Sequence, residues 1–166
     1  RHNGGIDGLK AACPTAEVIA TLNLAWDYAT AKAAMEDILA NYPQIDGILS
    51  QGGAMTQAAI DAYVEQGLPL VPMTGEASNG FLRVWLEQAD NGLQSMAFCN
   101  PTWISVTALD TAIRILNGEE VEKEITVTVP PVTLETAKDL YRPDVNDSFW
   151  VHTYLSDAEI KELFPK

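Results

Sequence analysis

A strand-then-helix unit recurs four times along this chain, and each strand ends in small or polar residues. The ends read Leu22-Asn23, Ser50-Gln51-Gly52-Gly53, Thr74-Gly75-Glu76 and Cys99-Asn100-Pro101. They follow one another at about 25–30 residues, the length of a parallel β-α-β crossover. Such crossovers are right-handed and cover the sheet they build. The expected fold class is therefore α/β, an open parallel sheet with helices on both faces. In open parallel sheets, ligands bind in the crevice beyond the carboxyl ends of the strands. The repeat thus gives an architecture and the address of a site, without a chemistry.

Composition narrows the ligand. A net charge of −13 opposes nucleic acid, whose phosphates attract Lys and Arg, and equally opposes an anionic membrane surface. An uncharged ligand fits best. No apolar run approaches the ~20 residues needed to span a bilayer. Cys13 and Cys99 make neither a disulfide framework nor a metal site by spacing, and a bond between them stays open. Gly52-Gly53 ahead of a helix lacks the spacings of the phosphate-binding loops, so a tight strand-to-helix turn is the simpler reading and no cofactor is expected.

The chain starts at Arg1-His2-Asn3-Gly4 and runs straight into a helical stretch, Ile6 to Ala12. A domain of this class opens with a strand, so the sequence reads as beginning partway through a larger protein. Residues 17–24 alternate as a strand does. Asp27 is positioned to cap a helix that ends near Asn41-Tyr42-Pro43. Ile45–Ser50, Leu70–Thr74 and Ser95–Cys99 are the next strands, expected to lie beside Val18–Asn23 in one layer. Helices follow over Met55–Gln66, stopped at Gly67, and over Asn79–Ala89, with Phe81, Leu82, Trp85 and Leu86 as core. Thr102 is expected to cap a long helix ending at Asn117-Gly118, a glycine-type stop. Past Gly118, residues 125–129 alternate again until Pro130-Pro131. The acidic tail, 133–166, carries Tyr141, Phe149, Trp150 and Tyr154. It reads as short helices near 134–140 and 156–164, and its aromatics imply that it packs on something.

No catalytic constellation emerges. There is no G-x-S-x-G, and His2 and His152 lie far apart and read as surface or structural residues. Glu76, in a Gly-flanked turn followed by Ser78-Asn79-Gly80, is either a helix N-terminal charge or an acceptor for ligand hydroxyls. Gln51 and Asn100, also at strand ends, offer paired donors and acceptors. Trp26 and Trp103 fall in the first turn after a strand, on the same rim. Polar side chains that fork to hydroxyls, together with aromatic faces, suit a sugar, which is apolar on its C–H faces and polar around its edge. Core packing accounts equally well for each Trp.

Over most of residues 1–129 the chain resembles the C-terminal part of the periplasmic sugar-binding proteins of the ribose-binding type. The matching pieces, in order, are R-x-x-G at Arg1–Gly4, P-x-I-D-G-I at Pro43–Ile48, the end Ser50–Gly53, the Thr74–Gly80 turn, Asn100-Pro101, and Leu116-Asn117-Gly118-Glu119. The resemblance implies a two-lobed protein with sugar trapped between the lobes. It implies that residues 1–100 form the C-terminal lobe, that 101–118 form a helix crossing the hinge onto an N-terminal lobe, that 119–132 form the returning strand and hinge, and that 133–166 form a tail. Arg1 corresponds to the arginine that hydrogen-bonds the sugar. Gln51, Gly52, Glu76, Asn100 and Trp103 complete the expected ligand contacts. The family often has Asn-Asp at Gly52-Gly53 and Asp-Gly at Gly75-Glu76. Those departures put simple aldose specificity in doubt, and the glycines leave room for a bulkier or differently shaped polyol.

The expected function is that of an extracytoplasmic solute-binding protein, not an enzyme. It would capture a monosaccharide or polyol and pass it to the membrane permease of an ABC transporter. Its place would be the periplasm, or the outer face of the membrane as an anchored lipoprotein. The alternative is a sugar-sensing effector domain of a transcription repressor, which shares the fold but needs a basic helix-turn-helix segment upstream. An enzyme acting through Glu76 would need a partner acid or base, and the sequence supplies no obvious one.

Overall fold

A computed structural model describes residues 2–166; Arg1, and with it the first expected ligand contact, lies outside the described residues. In chain order the elements are α1 (His2–Ala12), α2 (Tyr28–Asn41), α3 (Gly53–Glu65), β1 (Met73–Glu76), α4 (Asn79–Gln88) with a 3₁₀ turn (Ala89–Asn91), β2 (Ser95–Phe98), α5 (Ile104–Leu116), α6 (Leu134–Leu140) and α7 (Asp157–Leu163).

Local chemistry sets most helix ends. The Asp27 carboxylate accepts from the Thr30 backbone N–H at 2.8 Å and from its hydroxyl at 2.6 Å. These hydrogen bonds hold the Asp27 carboxyl below the usual carboxylate range. Gly67 and Gly118, just past α3 and α5, have φ of 65° and 82°, where an L side chain would be strained. Reciprocal capping boxes, Thr133 with Thr136 and Ser156 with Glu159, start α6 and α7. Thr102 does not cap α5 as expected. Its carbonyl accepts from the Ser105 N–H (3.2 Å) and hydroxyl (2.7 Å), and the helix begins after Trp103 without a side-chain cap.

β1 and β2 pair in parallel, from Met73 opposite Ser95 to Glu76 opposite Phe98. Pro69 and Pro72 have no N–H to give a ladder. The paired strand therefore starts at Met73, whose N–H donates to Gln94 O at 3.0 Å, later than the expected Leu70. On the other side of β1, Ile48 bridges Met73 in parallel. That ladder is short because the Thr74 hydroxyl replaces backbone at the next step: it accepts from Ser50 N at 3.0 Å and donates to Ser50 O at 2.9 Å. Val132 lies antiparallel beyond β2 and exchanges both hydrogen bonds with Ala97, at 3.0 and 2.7 Å.

Three of the four expected strand segments thus lie side by side in parallel. The fourth, Val18–Asn23, pairs with no strand among the described residues. Its Val18, Ile19 and Leu22 side chains are exposed. Alternation marks a chain suited to a half-covered sheet, but a strand exists only where a neighbour completes its ladder and a layer covers one face.

α2, α3 and α4 pack in series, with α3 against β1. The core is built on Ile60, Met73, Phe81, Leu82 and Trp85, all at 1% exposure or less, with Phe81 and Trp85 stacked at 5.7 Å. Tyr28 on α2 donates to Asp61 on α3 at 2.7 Å. Burial, and then that hydrogen bond, push its phenol up to about 12. The tail adds Ala137, Val145, Phe149, Val151 and Ile160 to the same core. Neither α1 nor α5 buries a single residue.

Candidate functional site

Ile48 lies opposite Met73 and Glu76 opposite Phe98, so Gln51, Glu76 and Asn100 all fall at the carboxyl ends of the parallel strand segments. The Ser50–Gly53 turn is pressed against the end of β1. A Cβ on Gly53 would sit 2.2 Å from Ser78 Oγ and 2.5 Å from Glu76 O, so only glycine fits there. The buried Thr56 hydroxyl fastens the turn from below, 2.9 Å from Gly52 O and 3.0 Å from Thr74 O, and its one proton serves either acceptor.

Gly52 corrects one expectation. The space it leaves is filled: a Cβ there would lie 2.7 Å from Met55 Cε and 2.9 Å from the Trp26 ring. Trp26 is held over the glycine in the left-handed region at φ 61° and stays 60% exposed. The two glycines therefore accommodate an aromatic side chain and a close backbone approach; they do not open a larger cavity.

The remaining expected residues differ in access. Gln51 is half-buried, Glu76 is buried at 8% exposure, and Asn100 is exposed. Glu76 can meet a ligand only through an edge. Trp103 is half-buried and stacks on Tyr154 of the tail, with centroids 4.9 Å apart and planes at 27°. Cys13 is exposed and Cys99 half-buried, and no disulfide joins them. Among the described residues no cluster of His, Cys, Asp or Glu side chains is arranged to hold a metal ion.

The sequence reading gave the tail no place at this rim, and the structure brings it there through Asn79. That side chain is 1% exposed. Its amide nitrogen lies within reach of the carbonyls of Arg142 (2.8 Å), Asn146 (3.2 Å) and Val145 (3.3 Å), and its oxygen accepts from Arg142 N at 2.9 Å. Asn79 N donates to Phe149 O at 2.7 Å, and Gly80 N to Asp147 O at 3.1 Å. Arg83 adds a fork to Asp147, at 2.8 and 3.3 Å, and that guanidinium holds the Asp147 carboxyl below its usual range. Residues 149–151 then run beside 77–79, with Val151 N on Ala77 O at 3.3 Å and the Cys99 thiol 3.6 Å from Val151 O. The only sequence signal for this hub was an Asn between Ser78 and Gly80, where a helix-start reading was sufficient.

The rim is thus a polar and aromatic edge on one end of an open parallel sheet. Residues 1–120 of the 166 match the periplasmic binding protein domain family, and the chain belongs to that family. No curated protein sequence matches it. Among solved structures it is similar to the periplasmic binding protein of an arabinose ABC transporter from Shewanella, bound to α- and β-L-arabinofuranose (TM-score 0.68, 20% identity, 82% of this chain and 46% of that one). It is also similar to an ABC transporter periplasmic solute-binding protein from Actinobacillus succinogenes with D-allose (0.62, 23%, 82% and 48%). A third is a carbohydrate transporter solute-binding protein from Agrobacterium radiobacter with D-arabinose (0.66, 20%, 98% and 48%). At these identities the likeness is one of fold. The chain spans a little under half the length of each of these proteins.

Proposed function

We propose that this chain is the sugar-binding C-terminal lobe of an extracytoplasmic solute-binding protein. The whole protein would capture a monosaccharide or polyol between two lobes and deliver it to the permease of an ABC transporter, without catalysis. Residues 1–100 form the lobe proper, 101–118 the helix that crosses the hinge, 119–132 the returning strand, and 133–166 the tail. Arg1, Gln51, Gly52, Glu76, Asn100 and Trp103 are the proposed ligand contacts, and the periplasm, or the outer face of the membrane for an anchored form, is the proposed location. The observation that supports this reading is the polar and aromatic end of the parallel sheet: Glu76 closes β1, Gln51 and Asn100 follow the strand segments on either side, and Trp26 packs over Gly52. Such an edge matches the two-sided chemistry of a sugar ring. The sugars held by its structural relatives support the same class of ligand. Calorimetric titration of the full-length protein with D-allose, L-arabinose, D-arabinose and a panel of polyols tests it. Saturable binding of at least one, weakened in Asn100→Ala, is the expected result; absence of heat across the whole panel sinks the reading.

A further inference from the structure

The tail lies outside the matched family segment, residues 1–120, yet it ends its path at the strand rim. The match to the Agrobacterium radiobacter protein, over 98% of the chain, reaches into the tail, whereas the other two relatives described above cover 82%.

Three features of the tail converge. After Val151 is pinned to Ala77, the chain turns at His152 with φ 59°. Ala25, Trp26 and His152 are the non-glycine residues with positive φ among the described residues. Such backbone persists only where its surroundings impose it, and it concentrates at functional sites. Trp26 packs on Gly52 at the rim, so the strain recurs where ligand contacts are proposed. Second, the Nε2 of His152 is buried and has no hydrogen-bond partner among the described residues. A buried ring nitrogen without a partner is uncommon and calls for an explanation. Third, Trp103, Thr128, Pro130, His152, Thr153 and Tyr154 line a recess of about 210 Å³. Tyr154 places one face on Trp103 and remains 75% exposed.

From these features we infer that the tail builds one wall of the ligand site. The His152 imidazole, whose Nε2 is buried in this conformation, turns into the recess to hydrogen-bond a hydroxyl of the bound monosaccharide, and the Trp103–Tyr154 pair offers its apolar surface to the C–H face of the ring. His152 and Tyr154 then set which sugar is preferred. The inference rests on the sugar-binding reading above. The competing account is that the stack and the imidazole only fasten the tail. Fastening changes stability and leaves the order of sugar preference untouched.

The test is calorimetry of the full-length protein with D-allose, L-arabinose and D-arabinose, on wild type, Tyr154→Ala, Tyr154→Phe and His152→Asn. Asparagine is chosen because it tolerates positive φ. Tyr154→Ala should weaken the tightest sugar by about tenfold and Tyr154→Phe by less than about twofold, as expected when a ring face rather than a hydroxyl is used. His152→Asn should weaken it by about tenfold and change the ranking of the three sugars, as loss of a specific hydrogen bond does. Ligand-free melting temperatures of the Tyr154 variants should match wild type. Should His152→Asn melt without cooperativity, the wild-type imidazole signal in an NMR titration decides: it must move on addition of the tightest sugar. Wild-type affinities and ranking in all variants, or an imidazole signal that stays still, overturn the inference and leave the sugar-binding reading standing. No binding of any of the three sugars or the polyol panel by wild type overturns both.

Discussion

α4 and α5 are built from similar material and come to opposite ends. α4 carries Phe81, Leu82, Val84, Trp85 and Leu86, and it buries six of its ten residues. α5 carries Ile104, Val106, Leu109, Ile113, Ile115 and Leu116 and buries none, with Leu116 85% exposed. α4 is a crossover between two paired strands, so the sheet covers one side, and α3 and the tail cover others. α5 follows the last parallel strand, and among the described residues no later element buries any part of it. A helix apolar around most of its circumference needs partners on more than one side. The pair shows that apolar content reports how much surface a helix must hide, whereas topology reports whether this chain is what hides it. Under the proposed function, a second lobe covers α5.

The largest effect should come from inside α4. Trp85 is 1% exposed and stacked on Phe81, so Trp85→Ala should cost roughly 3–5 kcal/mol, from lost transfer energy and the cavity left behind. Denaturant unfolding measures this directly. A loss below about 1 kcal/mol, the level of an ordinary substitution, would place α4 with α5 and dissolve the comparison.

What was legible beforehand follows the same division between local and non-local causes. Asp27, Gly67, Gly118 and the two tail helices rest on interactions within a few residues, and the sequence displays those. The Phe81–Trp85 face was legible because its spacing is helical. Strands fared less well. Val18–Asn23 has the right alternation but no neighbour, and β1 starts late because two prolines withhold donors, a detail that composition alone does not rank. At the site, the placing of Gln51 and Glu76 at strand ends could be anticipated because parallel crossovers put those ends on one edge of the sheet. The filling of Gly52 by Trp26 depends on a left-handed backbone two residues wide, and the Asn79 hub joins positions more than sixty residues apart. Neither leaves a local trace.

Asn79→Ala should rank second. It strands several tail carbonyls at once, and leaving buried polar groups unpaired costs about 1–3 kcal/mol. The tail should also become a protease target between Arg142 and Val151 while α3 and α4 stay protected. Wild-type resistance in that segment would show that Phe149 and Val145 hold the tail without the amide.

A smaller effect belongs to pH. Arg83 depresses the Asp147 carboxyl below the ordinary aspartate range. A depressed carboxylate adds stability above its unfolded pKa, and that stability is lost as pH falls through the folded value. The contribution is therefore intact above about pH 4 and disappears in stronger acid, near the unperturbed aspartate range of ~3.9 and below. The Asp147 side chain is 48% exposed, so solvent screening keeps the pair under about 1 kcal/mol. Asp147→Asn should flatten that part of the acid limb in a pH series of melts and leave stability above pH 6 lower by about the same small amount. An unchanged acid limb would mean that the fork is not formed in solution.

The smallest effect tests α5 itself. In the chain described here, Leu116→Ala removes a side chain that already faces water. Its cost should stay within about 0.5 kcal/mol, as for surface positions away from special features. The same substitution in a protein where a second lobe covers the helix should cost roughly 2–5 kcal/mol, because there the leucine leaves a cavity. Measuring both by denaturant unfolding turns the contrast between α4 and α5 into a single number, the difference between the two backgrounds. A small loss in both would show that α5 stays uncovered in the full-length protein, and the hinge-crossing assignment of residues 101–118 would fall with it. A large loss in the 166-residue chain would mean that the tail or α1 folds over α5 in solution, and its exposure would no longer point to a second lobe.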